Sequence, residues 1–214
     1  MKVRRRTRSL HVFLNAPFDP KYKPIFDAVV FAIIACGYEP RCSLESSDSG
    51  TPRIGRLRQL INECDLSIHD LSRTQSDENT GLPRFNMPFE FGLFIGARDF
   101  GGPNHRGKTC LVLAEHQFVY QRYISDVAGN DISMHGSDPH KAIASVRHFL
   151  RSHSNASGAT RIIETYEKFK IELPRLADLP QFKYDSSDLH FKDYVALARA
   201  FLAEEGWSIV TPSA

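Results

Sequence analysis

The sequence predicts a doubly wound α/β protein with a parallel sheet in the order 2-1-3-4-5 and a helical appendage at its C-terminal end. Three observations carry that expectation. Short apolar runs at 10–14 (LHVFL), 66–71 (LSIHDL) and 108–114 (KTCLVLA) alternate with longer segments of helical period. The connections between them are short and closed by Gly, Pro, Asn and Asp. Right-handed crossovers between parallel strands leave few other arrangements for such alternation.

The elements follow in order. After the first strand, Asn15, Ala16 and Pro17 close the run, and Pro24, Ile25, Val29, Val30, Ile33 and Ile34 mark a helix stopped by Gly37. A second short strand spans 38–43, and Pro52 starts a helix with Ile54, Leu57, Leu60 and Ile61 on its apolar side. The third strand, 66–71, leads into a polar loop, 72–86, and a helix beginning near Pro88. Strand four is 108–114, and Ile132 belongs to a fifth. Asp138 and Pro139 then supply an N-cap and first position for a helix through Ile143, Val146, Phe149 and Leu150. Gly, Ser and Asn cluster at 152–158, and two amphipathic helices follow at 159–173 and 187–205. The domain reading is a basic flexible tail at 1–9, an α/β domain at 10–152 and C-terminal helices at 158–214.

Composition narrows the function. The 214 residues carry 27 basic and 25 acidic side chains, a formal net charge of +2, which argues against a dedicated nucleic-acid binder. Lys2, Arg4, Arg5, Arg6 and Arg8 concentrate basic charge in the tail, read as a solvated terminus or a nucleic-acid or membrane-surface arm. No apolar segment follows to make it a signal peptide. The most apolar stretch, 25–36, contains Asp27 and is too short for a bilayer core of roughly 30 Å, so no membrane is expected. Cys36, Cys42, Cys64 and Cys110 fall singly in apolar stretches, which predicts buried thiols in a reducing cytoplasm. Neither they nor His105, His116 and His135 have ligand spacing, so no metal or other cofactor is expected.

In sheets of this order, ligands bind at the carboxyl ends of strands one and three. The segment 86–96 (NMPFEFGLFIG) puts Glu90 among aromatic and aliphatic residues in the first turn of the helix after strand three. An acidic residue there complements a helix N-terminus in any fold. It can also be a functional carboxylate, and two features favour that role. Gly92 and Gly96 clear one helix face for close approach, and Asp70 ends strand three beside the crevice, so two carboxylates are expected to converge. Asp70 has the alternative reading of a loop cap. His69, inside the strand, reads as a core histidine.

The pattern of strand, terminal Asp, loop and FExG helix resembles the nucleoside 2-deoxyribosyltransferase family and its TIR-like relatives over residues 10–150. In that family the first strand ends in a turn of the kind written here Phe13-Leu14-Asn15-Ala16-Pro17-Phe18, and the Glu of an ExG motif attacks the anomeric carbon. Glu90 followed by Gly92 matches that position. The resemblance implies cleavage or transfer at the N-glycosidic bond of a nucleoside, nucleotide or NAD-type dinucleotide, as a hydrolase or transferase, and related bacterial proteins serve as defence or toxin effectors. Glu90 is then nucleophile or cation stabiliser, and Asp70 orients sugar hydroxyls or assists the leaving base. Asn15, Asn86 and Gly92 line the substrate site, Phe18, Phe85 and Phe89 stack on the base, and Arg84 meets phosphate. The chain departs from the family in one string. DSGT, which there precedes the catalytic helix, stands here at Asp48-Ser49-Gly50-Thr51 and is read as coincidental, while Arg84-Phe85-Asn86-Met87 occupies its place. The loop 72–86 is also long and charged, with Arg73, Asp77, Glu78 and Arg84 available to a phosphate or a partner.

A second polar cluster, 120–135, offers Arg122, Tyr123, Asp126, Asn130 and Asp131 after strand four, as site or surface connection. The C-terminal helices bear Tyr166, Phe169 and Leu173 on one and Tyr194, Leu197 and Phe201 on the other. They are expected to pack on the core or to pair subunits of a homo-oligomer. The alternative to an enzyme is a non-catalytic nucleotide-sensing or protein-interaction module of TIR-like fold.

Overall fold

The structure is a computed structural model that describes residues 10–73, 81, 84–117, 121, 123–127, 129–151 and 156–209. The basic tail, Asp77, Glu78 and Arg122 lie outside the described residues. Strands β1 (His11–Asn15), β2 (Glu39–Arg41), β3 (Leu66–Asp70), β4 (Thr109–Ala114) and β5 (Ile132–Met134) form one parallel sheet in the order β2-β1-β3-β4-β5. The helices are α1 (Lys23–Ala35), α2 (Arg53–Glu63), α3 (Asn86–Phe100), α4 (Pro139–Arg151), α5 (Ala159–Ala177) and α6 (Phe191–Glu204).

Alternation along the strands decides which helices cover which face. Val12, Leu14, Leu66, Ile68, Leu111 and Leu113 join one core cluster with α1, α4, α5 and α6. Phe13 points the other way, onto Leu57, Leu60 and Ile61 of α2 and Phe94 of α3. Val112 and Ala114 meet Met87 and Phe91 of α3 on that second face. α1 is buried along almost its whole length because the sheet covers one side and the other helices the rest, and its all-round apolar sequence follows from that position. Gly37, at φ +80°, ends it in the left-handed conformation, with its N–H on the Ile34 carbonyl at 2.8 Å.

Three of the boundaries that differ from the sequence expectation have a visible cause. β2 stops at Arg41 because the chain turns into a 3-10 segment, Ser43–Glu45, where the Cys42 N–H donates to Glu45 Oε1 at 2.6 Å. α5 runs through Pro174 to Ala177, its last turn held by the buried Leu176 and Ala177. α6 begins at Phe191 because Ser187 is taken up in a turn with Asp185, whose Oδ1 accepts from its N–H at 2.8 Å. α5 and α6 pack on the core: Phe169 stacks on Phe31 with centroids 5.2 Å apart, and the Tyr194 hydroxyl donates to the Asp27 carbonyl at 2.9 Å. Among the described residues no helix is long and apolar enough to cross a membrane.

Candidate functional site

The carboxyl ends of β1 and β3 lie side by side, Asn15 in register with His69. Each strand end sends one polar side chain inward. The Asn15 amide nitrogen is 3.0 Å from His69 Nδ1 and donates to the Met87 carbonyl at 2.8 Å, stapling β1 and β3 to the start of α3. His69 Nε2 lies 2.9 Å from Ser67 Oγ, so this hydrogen-bond pattern assigns the proton to Nε2. Burial among Phe13, Phe91 and Phe94 pushes the His69 pKa down to about 3, which makes it a neutral core histidine, as read from sequence.

Asp70 points to the opposite face and is fully buried. Its Oδ2 accepts from the Tyr22 hydroxyl at 2.5 Å and lies 3.2 Å from His135 Nε2. Its Oδ1 accepts from the Ser72 N–H at 2.8 Å and from the Ser72 hydroxyl. Burial pushes the Asp70 carboxyl up, but the hydrogen bonds from His135, Ser72 and Tyr22 outweigh it and hold the carboxyl below its ordinary value. The Ser137 N–H donates to His135 Nδ1 at 3.1 Å, so the His135 proton sits on Nε2, facing Asp70 and Ser72. Ser72, His135 and Asp70 therefore do not form a nucleophilic triad: the serine hydroxyl donates to the carboxylate, and the imidazole nitrogen beside it already carries hydrogen. The four residues latch the loop after β3 to the entry of α1 and the end of β5.

Glu90 lies on α3 above the other face. α3 begins at Asn86 and has no acidic residue in its first turn, so Glu90 belongs to the second turn, where complementing the helix N-terminus carries little weight. Its side chain is 7% exposed, and Oε1 accepts from Arg53 Nη2 of α2 at 2.8 Å. Burial raises the Glu90 pKa, and the charge and hydrogen bond of Arg53 oppose that rise. The expected convergence of Glu90 with Asp70 is not what the side chains show. They serve opposite faces of the sheet and share no hydrogen-bond partner among the described residues.

The remaining candidates divide similarly. Arg84 Nη1 is 3.3 Å from Asp19 Oδ2, and Arg73 Nε is 3.4 Å from the same oxygen, so the two cations share a carboxylate after β1. Asn86 is exposed at the start of α3, one turn before Glu90 on the same flank. Phe85 and Phe89 are exposed, standing on the outward face of α3 about 100° or more round from Glu90. Phe18 packs edge-on against Phe26 and lines a cavity of about 360 Å³ between the start of α1 and the approach to α6. Gly92 and Gly96 border open space: a Cβ at either position meets nothing within 4 Å. Tyr123, Asp126, Asn130 and Asp131 are exposed on the surface after β4.

Arg53, Tyr22, Ser72 and His135 had no local sequence signal, since each acts on a partner far along the chain or on another element. One signal was present in the DSGT string. Asp48 accepts from the Gly50 N–H at 2.9 Å and the Thr51 hydroxyl at 2.6 Å, shaping the turn that delivers Arg53 to Glu90. Among the described residues no group of three or more His, Cys, Asp or Glu side chains could hold a metal ion. No protein-family model matches the sequence, and no curated protein matches it.

Proposed function

We propose that the protein cleaves or transfers at the N-glycosidic bond of a nucleotide or NAD-type dinucleotide, with Glu90 as the carboxylate at the anomeric carbon. The observation that carries this reading is the Glu90–Arg53 pair, a nearly buried carboxylate just beyond the carboxyl end of β3, held by a cation that is itself half exposed. As the C1′–N bond breaks, its electron pair leaves with the base. The Glu90 carboxylate stabilises the ribosyl cation or bonds to C1′; water or an acceptor then attacks C1′, displacing Glu90 where that bond has formed. The attacking group's proton goes to the departing base of a nucleotide or, where the base is the neutral nicotinamide of an NAD-type dinucleotide, to solvent. The low-dielectric surroundings that raise the Glu90 pKa also strengthen its attraction for developing positive charge.

Arg53, Arg73 and Arg84 around the strand ends favour a ligand that bears phosphate over a free nucleoside. Asp70, with both oxygens engaged, acts as a positioning residue in this scheme. A binding module without turnover is the second reading, and the engagement of Glu90 by Arg53 is what favours it. Incubation with NAD, nucleotides and a nucleoside panel, followed by chromatography for free base, tests the proposal. Base release that is lost in Glu90→Gln supports catalysis, and calorimetric binding with no released base supports the module.

A further inference from the structure

The outward face of α3 carries an unusual stripe. At about 100° per residue, Phe85, Phe89, Gly92, Gly96 and Phe100 fall within about 80° of one another. They lie opposite the buried Met87, Phe91 and Phe94. The rings are 58%, 57% and 92% exposed in chain order, and no described residue approaches the glycines between them. Large apolar projections thus flank a flat, side-chain-free floor on one helix.

We propose that this face is a two-fold interface, with α3 of a second copy of this chain lying antiparallel across it. The stripe is complementary to itself. A two-fold axis beside Gly92 and Leu93 sets Phe89 of each copy against Gly96 of the other and Phe85 against Phe100, so each knob meets a floor or a ring. The open space at Gly92 and Gly96 lets the two helix axes approach closely.

Charge and area agree with that occupant. Arg84, whose guanidinium also reaches Asp19, stands just before the N-terminal end of α3, and Asp99, paired with Arg98, stands near its C-terminal end. Both remain substantially exposed, and an antiparallel pairing brings Arg84 of one copy beside Asp99 of the other. The helix dipoles then oppose each other favourably. With ~150–250 Å² per phenylalanine, the three rings leave on the order of 400 Å² of apolar surface per copy. That is about half of the ~800 Å² each partner gives to a standard interface, and the glycine floor with Pro88, Leu93 and the end charges supplies more. The stripe faces away from the Glu90–Arg53 pair, so the interface leaves that pair open and shares with the proposed ligand only the cation Arg84.

Sedimentation equilibrium of the full chain tests it, with Gly96→Leu as the discriminating variant. The folded monomer has open space at Gly96, and leucine favours the helix, so the melting temperature is expected to hold or rise. The added side chain blocks the crossing, so the dimer should weaken by about tenfold or more, as it should in Phe89→Ser. Gly92→Cys, beside the axis, should form an interchain disulfide on mild oxidation, whereas Ile171→Cys on the exposed face of α5 should not. A wild-type chain that stays monomeric at about 100 μM overturns the proposal. So does a dimer that Gly96→Leu leaves intact, or oxidative crosslinking no more efficient at Gly92→Cys than at Ile171→Cys.

Discussion

Arg53 donates to Glu90 across 37 positions of sequence, joining the first turn of α2 to the second turn of α3 at 2.8 Å. The contact gives Glu90 a charged partner without burying that partner, since half of the Arg53 side chain remains in solvent. The activity of Glu90 variants and the pH dependence of turnover both depend on it.

Glu90→Gln retains the shape and hydrogen bonding of the side chain and removes its charge. The proposed chemistry uses that charge mainly in the transition state, so kcat should fall by about two orders of magnitude or more, on the order of 3 kcal/mol, with ligand affinity little changed. Arg53 is half exposed and stays solvated when the Glu90 charge is removed, and the glutamine keeps its hydrogen bond, so the loss should be only about 0–1 kcal/mol and the melting temperature should move little. Preserved base release in the Gln variant removes Glu90 from the mechanism.

The pH profile should carry the Glu90 signature. Activity needs the ionised carboxylate, whose pKa burial raises, so the acid limb of kcat/KM should lie above the ordinary Glu value of 4.5. Arg53 pulls the pKa down, and Arg53→Met should therefore move that limb to higher pH. A limb that stays in place when Arg53 is removed shows that another group controls it.

The Asp70 latch should show in stability. The folded pKa of Asp70 is lowered, so its contribution is present above the unfolded value near 3.8 and is lost as the pH falls through the folded value. Burial and the Asp70 charge hold the Tyr22 hydroxyl protonated far above pH 10, so it remains a donor. Tyr22→Phe removes one donor from a buried carboxylate and should cost about 1–3 kcal/mol at neutral pH, read from urea unfolding. The difference from wild type should shrink on acidification, and a constant difference argues against a charged latch.

His69 should not titrate between pH 5 and pH 8. Its pKa is near 3, and its Nδ1 is occupied by the Asn15 amide. Ring-proton NMR should show an unmoving histidine signal that is lost in His69→Gln. Movement of that signal near pH 6.5 overturns the assignment.

The fold was legible in the sequence because it rests on local periodicities: apolar runs of strand length, helical spacing between them, and stops such as Gly37. The strand order followed from handedness and connection length, which are general constraints on any chain. Glu90 was legible as a carboxylate in an apolar helix, and His69 as a core residue, because burial can be inferred from neighbours along one element. Boundaries such as the run of α5 through Pro174 were not, since packing of Leu176 and Ala177 outweighed the local break.

Partnership was decided only by tertiary structure. Asp70 and Glu90 both follow from the end of β3, and the sequence suggested that they meet. Strand alternation instead turns Asp70 to the α1 face, where Tyr22, Ser72 and His135 take its oxygens, while Glu90 rises on the α3 face toward Arg53. A one-dimensional chain specifies which residues are apolar and at what period. Which side of the sheet a carboxylate serves, and which distant cation reaches it, depends on the crossovers that bring residues 22, 53 and 135 to the same strand ends.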